Sequence, residues 1–108
     1  MGVIVIACYR PKPGREAELD RLVGEHLPLL RAENLVTGRA SIAGRAADGA
    51  VVEIFEWKDR EAMAAAHENP RVGELWGRFA DAADFLPVAE VPGAGELFTE
   101  LEPLPAGG

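Results

Sequence analysis

Few side chains in this sequence are equipped to move a proton or attack a bond, and only two of them are histidines, His26 and His67. His26 falls in the series Leu19, Leu22, Val23, His26, Leu30, whose spacings of three and four put it on the apolar face of a helix. An imidazole facing a sheet from that position can act as a general base that removes a phenolic proton, or as a donor that orients a carbonyl. The same placement suits a histidine satisfied by a backbone carbonyl at the edge of a core. His67 is expected where two short helices meet, either at the mouth of a cleft or against a helix C-terminus, whose dipole favours it. Two histidines without a cysteine pair or a His-Glu-x-x-His spacing are a poor ligand set, so no metal is expected. The single cysteine, Cys8, cannot form an internal disulfide, and inside an apolar run it reads as a small core residue.

The aromatic residues are the candidate walls. Trp76 and Phe79 lie on the inward face of a helix, and Tyr9 and Trp57 end strands. Rings at this spacing build a core, or else line a cleft for a flat aromatic molecule, in which Tyr9, His67, Trp76 and Phe79 would be the contacts and His26 the acid/base. Glu53 and Glu56 fall on opposite faces of one strand. Whichever points inward needs a partner, for which Arg39 is a candidate. No glycine-rich phosphate loop follows a strand, so no nucleotide, flavin or other cofactor is expected.

These residues must be positioned by the elements around them. Val3 to Tyr9 is uncharged throughout, which asks for burial on both faces and marks a central strand. Two prolines and a glycine between Arg10 and Gly14 end it. The helical pattern then runs from Glu16 to Arg31, with Pro28 inside it, where a kink or an early break is expected because proline removes a donor and crowds the carbonyl of Gly24. Val36 to Ile42 alternates in the strand period. With the loop Gly44 to Gly49 and the run Ala50 to Trp57 it makes a hairpin. Asp59 caps a short helix ending near His67. Asn69-Pro70 opens another, in which Val72, Leu75, Trp76, Phe79, Ala80 and Ala83 repeat at helical spacing. Phe85 to Val91 contains Pro87 and reads as an irregular connection. Glu96 to Glu102 is the expected final strand, and residues 103–108 a flexible tail.

With 108 residues the chain is read as one domain, 1–108, large enough for its own core. A hydrophobic share of 48% and a charged share of 27% belong to a globular protein. The net charge of −7 argues against nucleic acid as a partner. No apolar run approaches the ~20 residues of a membrane span. No basic segment precedes the first run as in a signal peptide, and Ile6 stands where myristoylation wants Ser or Thr. A cytoplasmic protein is expected. Strand, helix, strand, strand, helix, strand is the α+β, ferredoxin-like βαββαβ order, a four-stranded antiparallel sheet with helices on one face. The other face stays apolar, which implies a homodimer joined through the sheets, packed face to face or closed into a joint barrel.

Val3 to Tyr9 followed by Arg10-Pro11-Lys12-Pro13-Gly14-Arg15-Glu16, the helix end Glu25-His26-Leu27-Pro28-Leu29-Leu30-Arg31, and Ile54-Phe55-Glu56-Trp57-Lys58-Asp59 resemble the dimeric α/β-barrel proteins of the antibiotic biosynthesis monooxygenase type. The resemblance spans roughly Val3 to Leu104. It implies a homodimer with a small-molecule cleft between helices and sheet, and, as in some members, cofactor-independent oxidation of phenolic or quinol-like compounds by O₂. The haem-degrading branch calls for Asn, Trp and His at positions that a gapless alignment places at Ala7, Ala66 and Trp76, and none matches. A cofactor-independent monooxygenase is the first expectation. The alternatives are a non-catalytic small-molecule-binding dimer and an isomerase or lyase on a lactone-like substrate.

Overall fold

Val3–Pro11 forms β1, and it is central, hydrogen-bonded on one side to β3 (Val51–Trp57) and on the other to β4 (Ala83–Leu86). The computed structural model describes residues 2–105. With β2 (Ile42–Arg45) and β5 (Glu102–Leu104), the sheet has the order β4-β1-β3-β2-β5 and is antiparallel throughout. Three helices complete an α+β fold compatible with the ferredoxin-like arrangement: α1 (Glu16–Ala32), α2 (Arg60–Ala66) and α3 (Pro70–Ala82). The fifth strand, at the β2 edge, goes beyond the four expected.

The helix boundaries follow from local chemistry. Asp59 Oδ1 accepts from the Ala62 amide, and Asn69 Oδ1 accepts from the amides of Arg71 and Val72, so both caps named from sequence are formed. α1 does not break early at Pro28 but continues to Ala32. It stops where Asn34 takes a left-handed conformation (φ 59°), with the Leu35 amide bonding to the Leu30 carbonyl and the Asn34 amide to that of Arg31. This is the Schellman ending, with asparagine where glycine is commoner.

The strands differ more from expectation. The hairpin is present, with the Asp48 carboxylate accepting from the Ala50 amide and Gly49 at φ +91° in its turn. Its first arm, however, begins at Ile42 and not Val36. Val36 makes only an isolated bridge to Trp57, and Thr37 Oγ1 turns the chain by donating to Glu56 and accepting from the Arg39 amide. Ala83 is extended (φ −152°, ψ 164°), so α3 passes directly into β4 and Pro87 falls just beyond the strand, where it does no harm. The expected final strand Glu96 to Glu102 is instead irregular up to Leu101, and only Glu102–Leu104 pairs, against β2. Of the tail expected to be flexible, Pro103 and Leu104 lie in β5, while residues 106–108 lie outside the described residues.

Strand parity divides the sheet. Val5, Ala7 and Tyr9 share a face with their register partners Phe55, Glu53 and Val51, and the helices cover that face with Leu19, Leu22, Val23, Leu75 and Phe79. The opposite face carries Ile4, Ile6 and Cys8 with Ile54 and Val52. The segment after β4 shields part of it: Val91 and Leu101 pack on Cys8 and Val52. Ile4, Ile6 and Ile42 remain 59%, 50% and 65% exposed. No helix among the described residues is long and apolar enough to cross a membrane.

Candidate functional site

Glu53 is an acidic residue in the middle of a central strand, 1% exposed, on the side that the helices cover. The two residues opposite it are Ala7 on β1 and Ala43 on β2, small side chains that leave room above the sheet. Into that room α1 lowers His26. A buried carboxylate must be hydrogen-bonded to be tolerated, and Glu53 Oε1 has two donors, Tyr9 Oη at 3.0 Å and His26 Nδ1 at 2.8 Å. The sequence expectation of Arg39 as the partner is corrected, since Arg39 lies on the other side of the sheet, where its Nε donates to Glu56 at 3.0 Å.

The second nitrogen of His26 fixes its tautomer. The Trp76 indole, which can only donate, bonds to His26 Nε2 at 2.9 Å, so Nε2 is the acceptor and Nδ1 carries the hydrogen given to Glu53. Tyr9, Glu53, His26 and Trp76 thus form one line of hydrogen bonds from the sheet to α3. Burial, reinforced by the Glu53 carboxylate, pushes the Tyr9 phenol far above its ordinary range, so Tyr9 is a donor here and not an acid. Aromatic rings hold the imidazole in place, Phe79 at 5.2 Å and Phe55 at 5.4 Å between centroids.

Beside this line lies a cleft of about 270 Å³. Val5, Ala7, Phe55 and Trp57 form its floor on the sheet, and Met63, Trp76 and Phe79 its helical side. Phe85 on β4 stands at its edge, 58% exposed and edge-on to Tyr9 at 5.8 Å. Apart from the imidazoles of His26 and His67, the Tyr9 hydroxyl and the indole N–H groups of Trp57 and Trp76, the lining side chains carry no N–H or oxygen atom.

Comparison with family models, with curated proteins and with solved structures finds no match. What can be said of the site therefore stands on its own geometry.

All five residues singled out from sequence, Tyr9, His26, His67, Trp76 and Phe79, line this one cleft. His26 is 2% exposed, with its acceptor nitrogen covered by Trp76. Its partners are a carboxylate and an indole, and not the backbone carbonyl considered from sequence. His67 is the C-cap residue of α2, and its ring meets Trp76 edge-on at 5.1 Å. Phe55, Met63 and Phe85 were not foreseen as lining residues, and for Glu53 the sequence left open whether it or Glu56 points inward. A signal for Glu53 was available: Val51, Phe55 and Trp57 share its parity, and a strand turns its larger rings toward the covered face. Cys8 is buried on the opposite face against Val91, where burial raises its thiol pKa, as suits a core residue. Among the described residues no three His, Cys, Asp or Glu side chains converge as a metal site would require.

Proposed function

We propose that the cleft binds a small, flat, largely apolar molecule and that His26 exchanges a proton with it, positioned by Glu53. The observation that carries this reading is the Glu53–His26 hydrogen bond of 2.8 Å inside a cleft otherwise walled by rings and aliphatic groups. A carboxylate on Nδ1 orients the imidazole and leaves Nε2 as the accepting atom, the division of labour of a carboxylate–histidine pair that takes a proton from a hydroxyl group. The reaction proposed is cofactor-independent monooxygenation. Removal of a proton from a phenol or quinol leaves an electron-rich anion that O₂ can oxidise, as when a ring methylene and O₂ give a ketone and water. The resemblance of Val3 to Glu16, the helix end Glu25 to Arg31 and Ile54 to Asp59 to the antibiotic biosynthesis monooxygenase type supports that choice of chemistry.

One observation favours a second reading, a ligand-binding protein without turnover: His26 Nε2 is occupied by the Trp76 N–H and its ring is almost fully buried. O₂ uptake with a panel of quinols and anthrones, in wild type and His26→Ala, separates the two. Uptake lost in His26→Ala supports the oxygenase. Binding seen by tryptophan fluorescence without uptake leaves the binding protein, and conversion without uptake points to an isomerase or lyase using the same base.

The working unit is proposed to be a homodimer. Ile4, Ile6 and Ile42 form an exposed apolar patch on the sheet face away from the cleft, and a second copy of the same face is the economical cover. A dimer so joined leaves both clefts open on its outside.

A further inference from the structure

Trp76 stands between the two histidines, donating to His26 Nε2 at 2.9 Å and meeting the His67 ring at 5.1 Å. Because Glu53 takes the Nδ1 hydrogen, Nε2 is the one atom of His26 that can accept a proton, and the indole occupies it. The surroundings of Trp76 on α3 are lopsided. At about 100° per residue, Val72, Leu75 and Phe79 fall on one side of it, while Gly73, Gly77 and Ala80 fall on the other. The first three are buried in the core. On the second side, a Cβ built at Gly73 or Gly77 would meet nothing within 4 Å, and neither glycine has a positive φ. Glycine in a helix interior costs about 1 kcal/mol relative to alanine. Close packing and backbone strain therefore account for neither residue.

The space they leave has a use. A helical tryptophan points back over the preceding turn, where Val72 flanks Trp76 on the core side and Gly73 on the solvent side. A swing about its Cα–Cβ bond away from His26 would lead to the Gly73 side, where a built Cβ meets no atom within 4 Å. We propose that Trp76 is a gate on the proton-accepting atom of His26, shut in this structure, that opens by this swing. The gate rests on the reading of His26 as the acid/base of the cleft and explains how so buried a base would meet a ligand. Trp76 is then a positioning residue, covering Nε2 until the cleft is entered.

The test needs no ligand. Diethyl pyrocarbonate acylates unprotonated imidazole nitrogens, and the two histidines are told apart by peptide mass mapping of the full-length chain. In wild type, exposed His67 reacts quickly and His26 slowly. Trp76→Phe keeps a ring but loses the N–H, and it speeds His26 modification about tenfold, the worth of one hydrogen bond. Gly73→Ala and Gly73→Leu both improve helix propensity at an exposed site that tolerates them, but only leucine fills the path of the swing. His26 therefore reacts about threefold or more slowly in Gly73→Leu than in Gly73→Ala, the cost of forcing the indole past an obstructed rotamer. Equal His26 rates in Trp76→Phe and wild type, or in the two Gly73 variants, overturn the gate. Should Trp76→Phe lose its fold, the Gly73 pair decides alone. A gate that opens as expected in a protein that binds no quinol or anthrone stands, while the ligand reading falls; binding with unchanged His26 rates has the reverse meaning.

Discussion

Glu53 carries the interior polar line, because Tyr9 and His26 both donate to its Oε1 and both are buried. Glu53→Leu keeps the bulk and orphans both donors, at about 1–3 kcal/mol for each group left unsatisfied. A loss of about 2–4 kcal/mol in urea unfolding is expected. Tyr9→Phe alone loses one bond and costs about 1 kcal/mol, but in the Glu53→Leu background it removes an orphan and becomes neutral or stabilising. A double-mutant cycle showing additive losses would mean that the two side chains are not coupled. A second residue-scale effect lies at the surface. Asp48 is held below the usual aspartate range, first by the Ala50 amide and then by Arg10, whose guanidinium donates at 2.6 Å. A depressed folded pKa stabilises fully above the unfolded value of about 3.9 and is lost as pH falls through the folded one. Asp48→Asn should therefore flatten the fall in Tm between about pH 5 and pH 3, while leaving its slope above that range unchanged.

At the scale of elements, Pro28 is the clearest conflict between local chemistry and global fold. It sits exposed within α1, cannot donate to the Gly24 carbonyl, and yet the helix runs on to Ala32 because Leu27 and Leu30 on either side of it are fully buried. Pro28→Ala restores a donor without removing packing, and thermal or urea unfolding should show a gain of about 1–3 kcal/mol. The same contrast explains what the sequence could reveal. Helices α2 and α3 were readable because Asp59, Asn69 and Pro70 act within one turn of themselves, and α1 because its apolar period is regular. The strands at the sheet edge were not, since Val36 to Ile42 has the strand alternation but is drawn into a turn by the Thr37 hydroxyl, and β4 is four residues whose only warrant is pairing with β1. Glu53 shows the limit at the site. Its spacing placed it on a strand, but its role depends on which face α1 covers, and that is a tertiary fact.

The whole molecule has two apolar faces on one sheet, and they should fail in different ways. Val5 and Ile6 are neighbours on β1, paired with Phe55 and Ile54. Val5 is partly buried on the cleft floor, packed against the cluster that holds Phe55, Trp57 and Leu27, so Val5→Asp sets an unpaired carboxylate on that apolar floor and should lower the midpoint of the unfolding transition in circular dichroism. Ile6 is half exposed in a single chain, and Ile6→Asp should leave the fold and the His26–Glu53 bond intact. Its damage would be to association. Light scattering should give twice the 11.5 kDa chain mass for wild type and the single-chain mass for Ile6→Asp. The segment carrying Val91 and Leu101 sharpens this test, because it already shields the Cys8 and Val52 part of the face and leaves the Ile4, Ile6 and Ile42 part exposed. Cys8→Ser should therefore weaken the fold without dissociating the proposed dimer. A wild-type chain that stays monomeric with a stable fold would remove the sheet-to-sheet dimer and leave the cleft as the property of one chain.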